Sequence, residues 1–458
     1  MQFEKEYDLS PLMISISGVR GKIGAGFGLS EALLFSQGFS SMMGQGTVVI
    51  GRDSRPSGPY LEHLLISALL ANGSSVLTLG LVPTPTTKAV VNLAKANGGI
   101  MISASHNPME WNAFKLISKK GFFFTQKEND ELLSKIKTHN FFTEQIAPKG
   151  YVDSGEDYID LHIQSVLKRV NVTKIKKKKF KVFLDAVGGA GSFVLPELLK
   201  RLGCVVISHN CKPDGTFPRP PEPTAKALKQ VEPYFKKSKA DIGFALDPDA
   251  DRLVLFSPKR GAVSEEYSLP LSLMNILSTA KKKANVVVNL STSFLNEEVA
   301  SRFGANVIRS KVGEANVVEE MIQSKAVFGG EGNGGIIDPN IPSFGRDSLS
   351  GIAHILNLMA ETNLSIDELL NNLPDLFMEK QSFPLVAGTT LDSLYEKFKN
   401  EFSPKIISEK DGLWMYVEDS WIHIRPSNTE PIFRVITETK TKNDLISTLK
   451  RVQSCVEL

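Results

Sequence analysis

Residues 98–108, Gly-Gly-Ile-Met-Ile-Ser-Ala-Ser-His-Asn-Pro, decide how the chain reads. An apolar, strand-like run from Gly98 to Ile102 leads directly into Ser105, His106, Asn107 and Pro108. Pro108 disfavours helical backbone at Asn107, so the strand must stop and Ser105 is expected at its end with an accessible side chain. A hydroxyl followed by an imidazole and an amide on such a loop is a candidate nucleophile; the same residues also make an ordinary polar turn.

Three further stretches bear on that choice. Asp247, Asp249 and Asp251 alternate with Pro248 and Ala250, directly after the apolar Ile242 to Leu246. Alternation aims three mutually repelling carboxylates at one point, and a hard divalent cation with oxygen ligands is the usual way to hold them there; Mg2+ fits best. An EF-hand loop would need Gly and Glu where Arg252 and Pro258 stand, and a solvated acidic turn is the plainer alternative. In Phe328-Gly-Gly-Glu-Gly-Asn-Gly-Gly335 only Glu331 and Asn333 bring polar side chains, which suits hydrogen bonds to sugar hydroxyls, although Gly-rich turns are common. No P-loop or dinucleotide fingerprint is present, so nucleotide binding is not indicated. Finally, Arg425-Pro-Ser-Asn-Thr-Glu-Pro431, with Arg434 just beyond, offers a guanidinium fork and the donors of Ser427, Asn428 and Thr429, an inventory for a phosphate dianion.

Taken in this order, the four loops resemble those of the α-D-phosphohexomutase family. Ser17-Gly-Val-Arg-Gly21, Gly51-Arg-Asp-Ser-Arg-Pro56, Pro213-Asp-Gly-Thr-Phe-Pro218 and Lys311-Val-Gly-Glu314 extend the resemblance over nearly the whole chain. It implies four domains around one central cleft: three α/β domains with a mixed four-stranded sheet, and a fourth α+β domain of the TATA-box-binding-protein-like type.

Composition is compatible with that architecture. The 458 residues are enough for about three or four domains. Fifty-three basic against 50 acidic residues leave a net charge of +3, which argues against a chain-wide nucleic-acid or membrane-binding surface. Lys174 to Lys181 is the one strongly basic run and reads as a solvated lead-in to a strand. Cys204, Cys211 and Cys455 form no paired motif, and the charged start carries no signal-like apolar stretch. A cytoplasmic, soluble protein is expected, as monomer or homodimer.

Boundaries are placed where the patterns restart. Strands alternating with helices argue for α/β units, and the expected domains are 1–152, 153–261, 262–376 and 377–458. The second is expected to open with a helix near Tyr158 to Val170, and the third with a helix near Leu269 to Ser278 before a strand at Ala284 to Asn289. The fourth is expected to hold a strand at Ser382 to Val386, a helix over Leu391 to Phe402, two strands, and a terminal helix from about Asn443.

The resemblance also implies a chemistry. Ser105 would be a phosphoserine whose phosphoryl group completes a shell of one Mg2+ with Asp247, Asp249 and Asp251. A hexose phosphate would take that group, reorient as a 1,6-bisphosphate, and return its other phosphate to Ser105. Phosphoryl transfer depends on positioning and electrostatics, which suits Arg20, His106 and Arg252 as stabilising donors and Lys311, at the family's catalytic-lysine position, as proton exchanger. Asn333 and Gly335 replace a Ser and a His of the common sugar loop, Ala113 and Asn428 replace common glycines, and with Gly345-Arg-Asp-Ser-Leu349 the pattern is nearer the branch assigned to phosphoglucosamine mutases. The expected reaction is therefore glucosamine 6-phosphate to glucosamine 1-phosphate, with glucose or mannose phosphate as the alternative. A Mg2+-dependent sugar phosphatase is the rival from another class; a serine hydrolase lacks its Gly-x-Ser-x-Gly elbow.

Overall fold

One strand order is repeated three times along the chain. The computed structural model describes residues 9–15, 18–138, 141, 149–280, 283–385, 390–426 and 432–456. The first unit contains β1 (Met13–Ser15), β2 (Gly18–Lys22), β3 (Thr47–Arg52), β4 (Ser75–Leu81), β5 (Gly98–Ile102), β6 (Trp111–Ser118) and β7 (Val152–Ser154). The second contains β8 (Lys181–Asp185), β9 (Val205–His209), β10 (Ile242–Leu246), β11 (Leu253–Ser257) and β12 (Gly261–Ala262); the third contains β13 (Asn285–Asn289), β14 (Asn306–Ser310), β15 (Phe328–Glu331) and β16 (Gly335–Ile337).

Within these sheets the orders β4-β3-β5-β6, β9-β8-β10-β11 and β14-β13-β15-β16 are the same arrangement. Its first three strands are parallel and the fourth returns antiparallel. The third strands β5 and β10 are buried along their whole length, as β15 is, because helices or neighbouring units cover both faces. A parallel strand needs a crossover to its neighbour, whereas the third and fourth strands need only a loop. That loop is Ser103–Glu110 in the first unit, Asp247–Arg252 in the second and Gly332–Gly334 in the third. The expected four-stranded sheet is thus a common core: β1, β2 and β7 enlarge it to seven strands in the first unit, and β12 to five in the second.

The second and third units share a continuous apolar core, running from Leu184 and Phe244 to Val288 and Ile352. The first unit packs on both faces of its sheet, with Ile50, Ile100 and Phe114 on one side and Val49, Met101 and Ile117 on the other. The fourth unit is an antiparallel sheet in the order β17 (Phe377–Pro384), β21 (Ile432–Thr439), β20 (Ser420–Pro426), β19 (Leu413–Val417), β18 (Ile406–Ser408). The helices Leu391–Phe402 and Lys442–Val456 pack on it through Phe398, Phe402 and Val452. Trp414 and Trp421 join Leu290 at the seam with the third unit.

Several elements depart from the sequence reading. The helix expected at Tyr158 to Val170 runs over Glu156–Leu167, and β7, which pairs with β4, spans the expected 152/153 boundary. The basic run is partly helical, over Val172–Lys178, because Ile175 buries against the core while the lysines around it stay in water. The fourth unit has four strands after its helix rather than two, and β17 begins at Phe377 rather than Ser382; Val386 lies outside the described residues.

Candidate functional site

Ser105 stands at the C-terminal end of β5 with φ +49°, a left-handed backbone uncommon for a residue with a side chain. The loop is held there from below. Arg55, fully buried and paired with Asp53, donates to the carbonyls of Ser105 at 2.8 Å and Asn107 at 2.5 Å. Ser103 Oγ donates to Asp53 and accepts from the Ser105 amide at 2.9 Å. Arg20 on β2 donates to Asn107 Oδ1 at 2.9 Å. With its backbone fixed, Ser105 donates from Oγ to Asp247 Oδ2 at 2.8 Å, across the junction of the first two units.

The acidic loop is built on the same strand position. Asp247 Oδ1 accepts from the amides of Asp251 and Arg252, both at 3.1 Å, which folds the loop back on its first residue. Ala250, with φ +53°, makes the turn. All three aspartates are buried, and one carboxylate oxygen from each lies within 4.8 Å of the others. Burial, then repulsion by Asp249 and Asp251, pushes the Asp247 carboxyl well above the usual carboxylate range. Burial acts upward on Asp249 as well, but Lys115 and Thr84 outweigh it and hold that carboxyl low. Lys115 Nζ lies 2.5 Å from Asp249 Oδ2 and 3.5 Å from Asp251 Oδ2. The Oδ1 atoms of Asp249 and Asp251 are nevertheless buried without a hydrogen bond. Spare hard oxygens in a convergent carboxylate set fit a hard divalent cation, so this group can hold a metal ion.

Above the two loops lies a cavity of about 400 Å³. His106 lines it from the first unit, Arg252 from the second, Glu265 and Asn333 from the third, and Lys380 and Arg434 from the fourth. Burial, then the charges of Arg252, Arg20 and Lys115, pushes His106 down to about 2, so it stands there as a neutral imidazole.

Other residues anticipated from sequence sit less directly. Glu331 is buried at the end of β15 and accepts from Asn289 at 2.8 Å, the Gly313 amide at 2.9 Å and Arg346 at 3.1 Å. Lys311 follows β14 and is exposed. Arg425 faces Arg434 across the β20–β21 ladder but turns to Asp411 at 3.1 Å, in a separate hollow. Ser427, Asn428 and Thr429 lie outside the described residues.

Lys115 and Thr84, absent from the motifs, and Arg346, present only as part of Gly345-Arg-Asp-Ser-Leu349, all contact the acidic loop. Lys115 does carry a signal: it interrupts the otherwise apolar Phe114-Lys-Leu-Ile117, and a lysine is seldom buried unless it is paired.

Three repeated α/β units and a smaller antiparallel unit around one cavity, with a serine set against an acidic triad, define the class of the phosphohexomutases, isomerases of the phosphotransferase type. Models of the phosphoglucomutase/phosphomannomutase alpha/beta/alpha domains I, II and III match residues 13–143, 157–261 and 266–377 in turn. The chain is 34% identical over 426 residues to a phosphoglucomutase/phosphomannomutase of Thermococcus kodakarensis, covering 92% of this chain and 90% of that protein. It is 30% identical to a phosphoglucosamine/phosphogalactosamine mutase of Sulfurisphaera tokodaii, covering 96% and 98%. The crystal structure of a phosphoglucomutase/phosphomannomutase family protein from Burkholderia thailandensis shares the fold at TM-score 0.84 and 24% identity, over 97% of each chain. The protein belongs to the phosphoglucomutase/phosphomannomutase family.

Proposed function

We propose that this phosphohexomutase interconverts glucosamine 6-phosphate and glucosamine 1-phosphate, with Ser105 as phosphoryl carrier. The observation that carries the proposal is the 2.8 Å contact of Ser105 with Asp247 beside a cavity reached by all four units. Its volume, about 400 Å³, is that of a small-molecule site. In the forward step the P–Oγ bond of phosphoserine breaks, a P–O bond forms to the free sugar hydroxyl, whose proton leaves to a base, and Ser105 Oγ takes up a proton as it leaves. Lys311 is the proposed base. The reverse step, after the bisphosphate turns over, restores the phosphoserine.

Arg20, His106 and Arg252 are the proposed donors around the transferring group. Asp247, Asp249 and Asp251 would hold Mg2+, which supplies neutralisation of charge on the phosphoryl oxygens. Glu331 and Asn333 are proposed to bind sugar hydroxyls, and Arg425, Ser427, Asn428, Thr429 and Arg434 the phosphate that stays; Arg425 would exchange Asp411 for it. The amino sugar is supported by the name of the Sulfurisphaera relative and by others named for phosphoglucosamine. No helix among the described residues is long and apolar enough to cross a membrane, and the three cysteines are free. Both fit a cytoplasmic enzyme of sugar phosphates.

The test is turnover on a panel of hexose 1-phosphates with a trace of the matching 1,6-bisphosphate. Glucosamine phosphate should give the highest kcat/KM, with measurable activity on glucose or mannose phosphate, and Glu331→Ala should lose most activity on each. Exclusive turnover of glucose or mannose phosphate overturns the amino-sugar assignment. Inorganic phosphate as the product, in place of the isomer, favours a phosphatase.

A further inference from the structure

Arg346 is the point at which the acidic loop and the sugar loop meet. Its guanidinium is nearly buried and touches three carboxylates: NH2 is 2.6 Å from Asp251 Oδ2, NH1 3.1 Å from Glu331 Oε2, and Nε 3.1 Å from Glu314 Oε2. A planar fork can satisfy three partners only if all three are held at fixed angles to it. Space for it comes from Gly335, where an added Cβ would lie 2.3 Å from Arg346 Cδ. Gly335 thus leaves open the space that the stem of Arg346 crosses on its way from the Gly345-Arg-Asp segment.

We infer that Arg346 is a positioning residue that couples metal loading at Asp251 to the placement of Glu331 in the sugar loop. With Lys115 at 3.5 Å it occupies Asp251 Oδ2, and it leaves Oδ1, which accepts no hydrogen bond and has Arg252 Nε 3.9 Å away, as the oxygen to meet a cation. By occupying Glu331 Oε2 it fixes the other end of the same fork. Glu314 anchors the fork to the first unit, since it is also paired with the fully buried Lys88. A change at either loop is felt at the other through one rigid group.

The test is equilibrium binding of Mn2+ to the full chain, counted by electron paramagnetic resonance with no sugar present. If Arg346 acted only as a positive charge, Arg346→Gln would relieve repulsion and tighten Mn2+. Positioning predicts the reverse: binding weakened at least fivefold, KM for the sugar phosphate raised in the same variant at saturating metal, and partial recovery of both in Arg346→Lys. Glu331→Gln, which leaves the acidic loop untouched, should weaken Mn2+ at least twofold in the native background and have no further effect beside Arg346→Gln. Should Arg346→Gln fail to fold, Arg346→Lys combined with Glu331→Gln decides the matter, and strictly additive losses overturn the inference. Native-like Mn2+ affinity in a folded Arg346→Gln also overturns it. The inference rests on the acidic triad as the metal site: a native chain that binds no Mn2+ sinks both, whereas equal binding by native and variant chains sinks only the coupling.

Discussion

Ser105 Oγ and Asp247 Oδ2, 2.8 Å apart, join the loop after the third strand of one unit to the corresponding loop of the next. Neither unit alone brings these two groups together. The hydroxyl is presented by a backbone already committed to a left-handed conformation, so little rearrangement is needed to set it at the cavity.

Loss of that hydroxyl should abolish the reaction while sparing the fold. Intact-mass and peptide analysis of the purified chain should find one phosphate, on Ser105, and Ser105→Ala should lose at least about a thousandfold in kcat, the scale on which an essential covalent group acts. An alanine variant with native turnover would remove Ser105 from the mechanism.

Chelation should stop turnover and Mg2+ should restore it. Because a ligand bound only by the folded state stabilises it, Mg2+ at a hundredfold over its Kd should add about 2.7 kcal/mol, seen as a raised Tm. Asp249→Asn should erase that shift. Undiminished activity in excess chelator would show that the three aspartates serve some other purpose.

Arg55 supports the serine loop without reaching the cavity. Arg55→Met would leave the buried Asp53 carboxyl without its guanidinium partner and would release the carbonyls of Ser105 and Asn107. Breaking such a pair costs about 3–5 kcal/mol, measurable by urea unfolding, and kcat should fall with it. A loss under about 1 kcal/mol would mean that the loop stands by itself.

His423 should give stability a pH slope. Burial pushes it down from 6.5 to about 4, against an opposing hydrogen bond to the Asp411 carbonyl. Between those values the unfolded chain holds more protons on this ring, so the contribution of His423 to stability rises with pH through the window, is constant above 6.5, and is lost, by about 3 kcal/mol, below 4. The ring also contacts Ser291 at 2.9 Å, across the seam between the third and fourth units. His423→Gln should flatten the slope relative to the native chain; parallel stability curves for the two would refute the assignment.

The loops were legible because polar clusters follow apolar runs at Ile102, Leu246 and Phe328, and strand ends in α/β sheets are where such clusters gather. The helix Leu391–Phe402 was legible from its apolar spacing at Leu394, Phe398 and Phe402. The short strands β7 and β18 were not, since three residues carry too little pattern. Nor were the contacts of Lys115 and Arg346 with the acidic loop: Asp249 and Asp251 lie 134 and 95 residues away from them, a separation that no local spacing encodes. Glu331 is legible as a polar group in a Gly-rich loop, but the partners that hold its carboxylate, Asn289, Gly313 and Arg346, become visible only once β13, β14 and β15 are side by side.

The buried lysines give the order of synthesis a physical meaning. Lys88 and Lys115 belong to the first unit, but their carboxylate partners, Glu314 and Asp249, belong to units that leave the ribosome later. Until those partners arrive the two ammonium groups must stay hydrated, which keeps that face of the nascent first unit open to water. A fragment ending near residue 150 would therefore expose two lysines meant for an interior, and docking of the later units is what finally dries them.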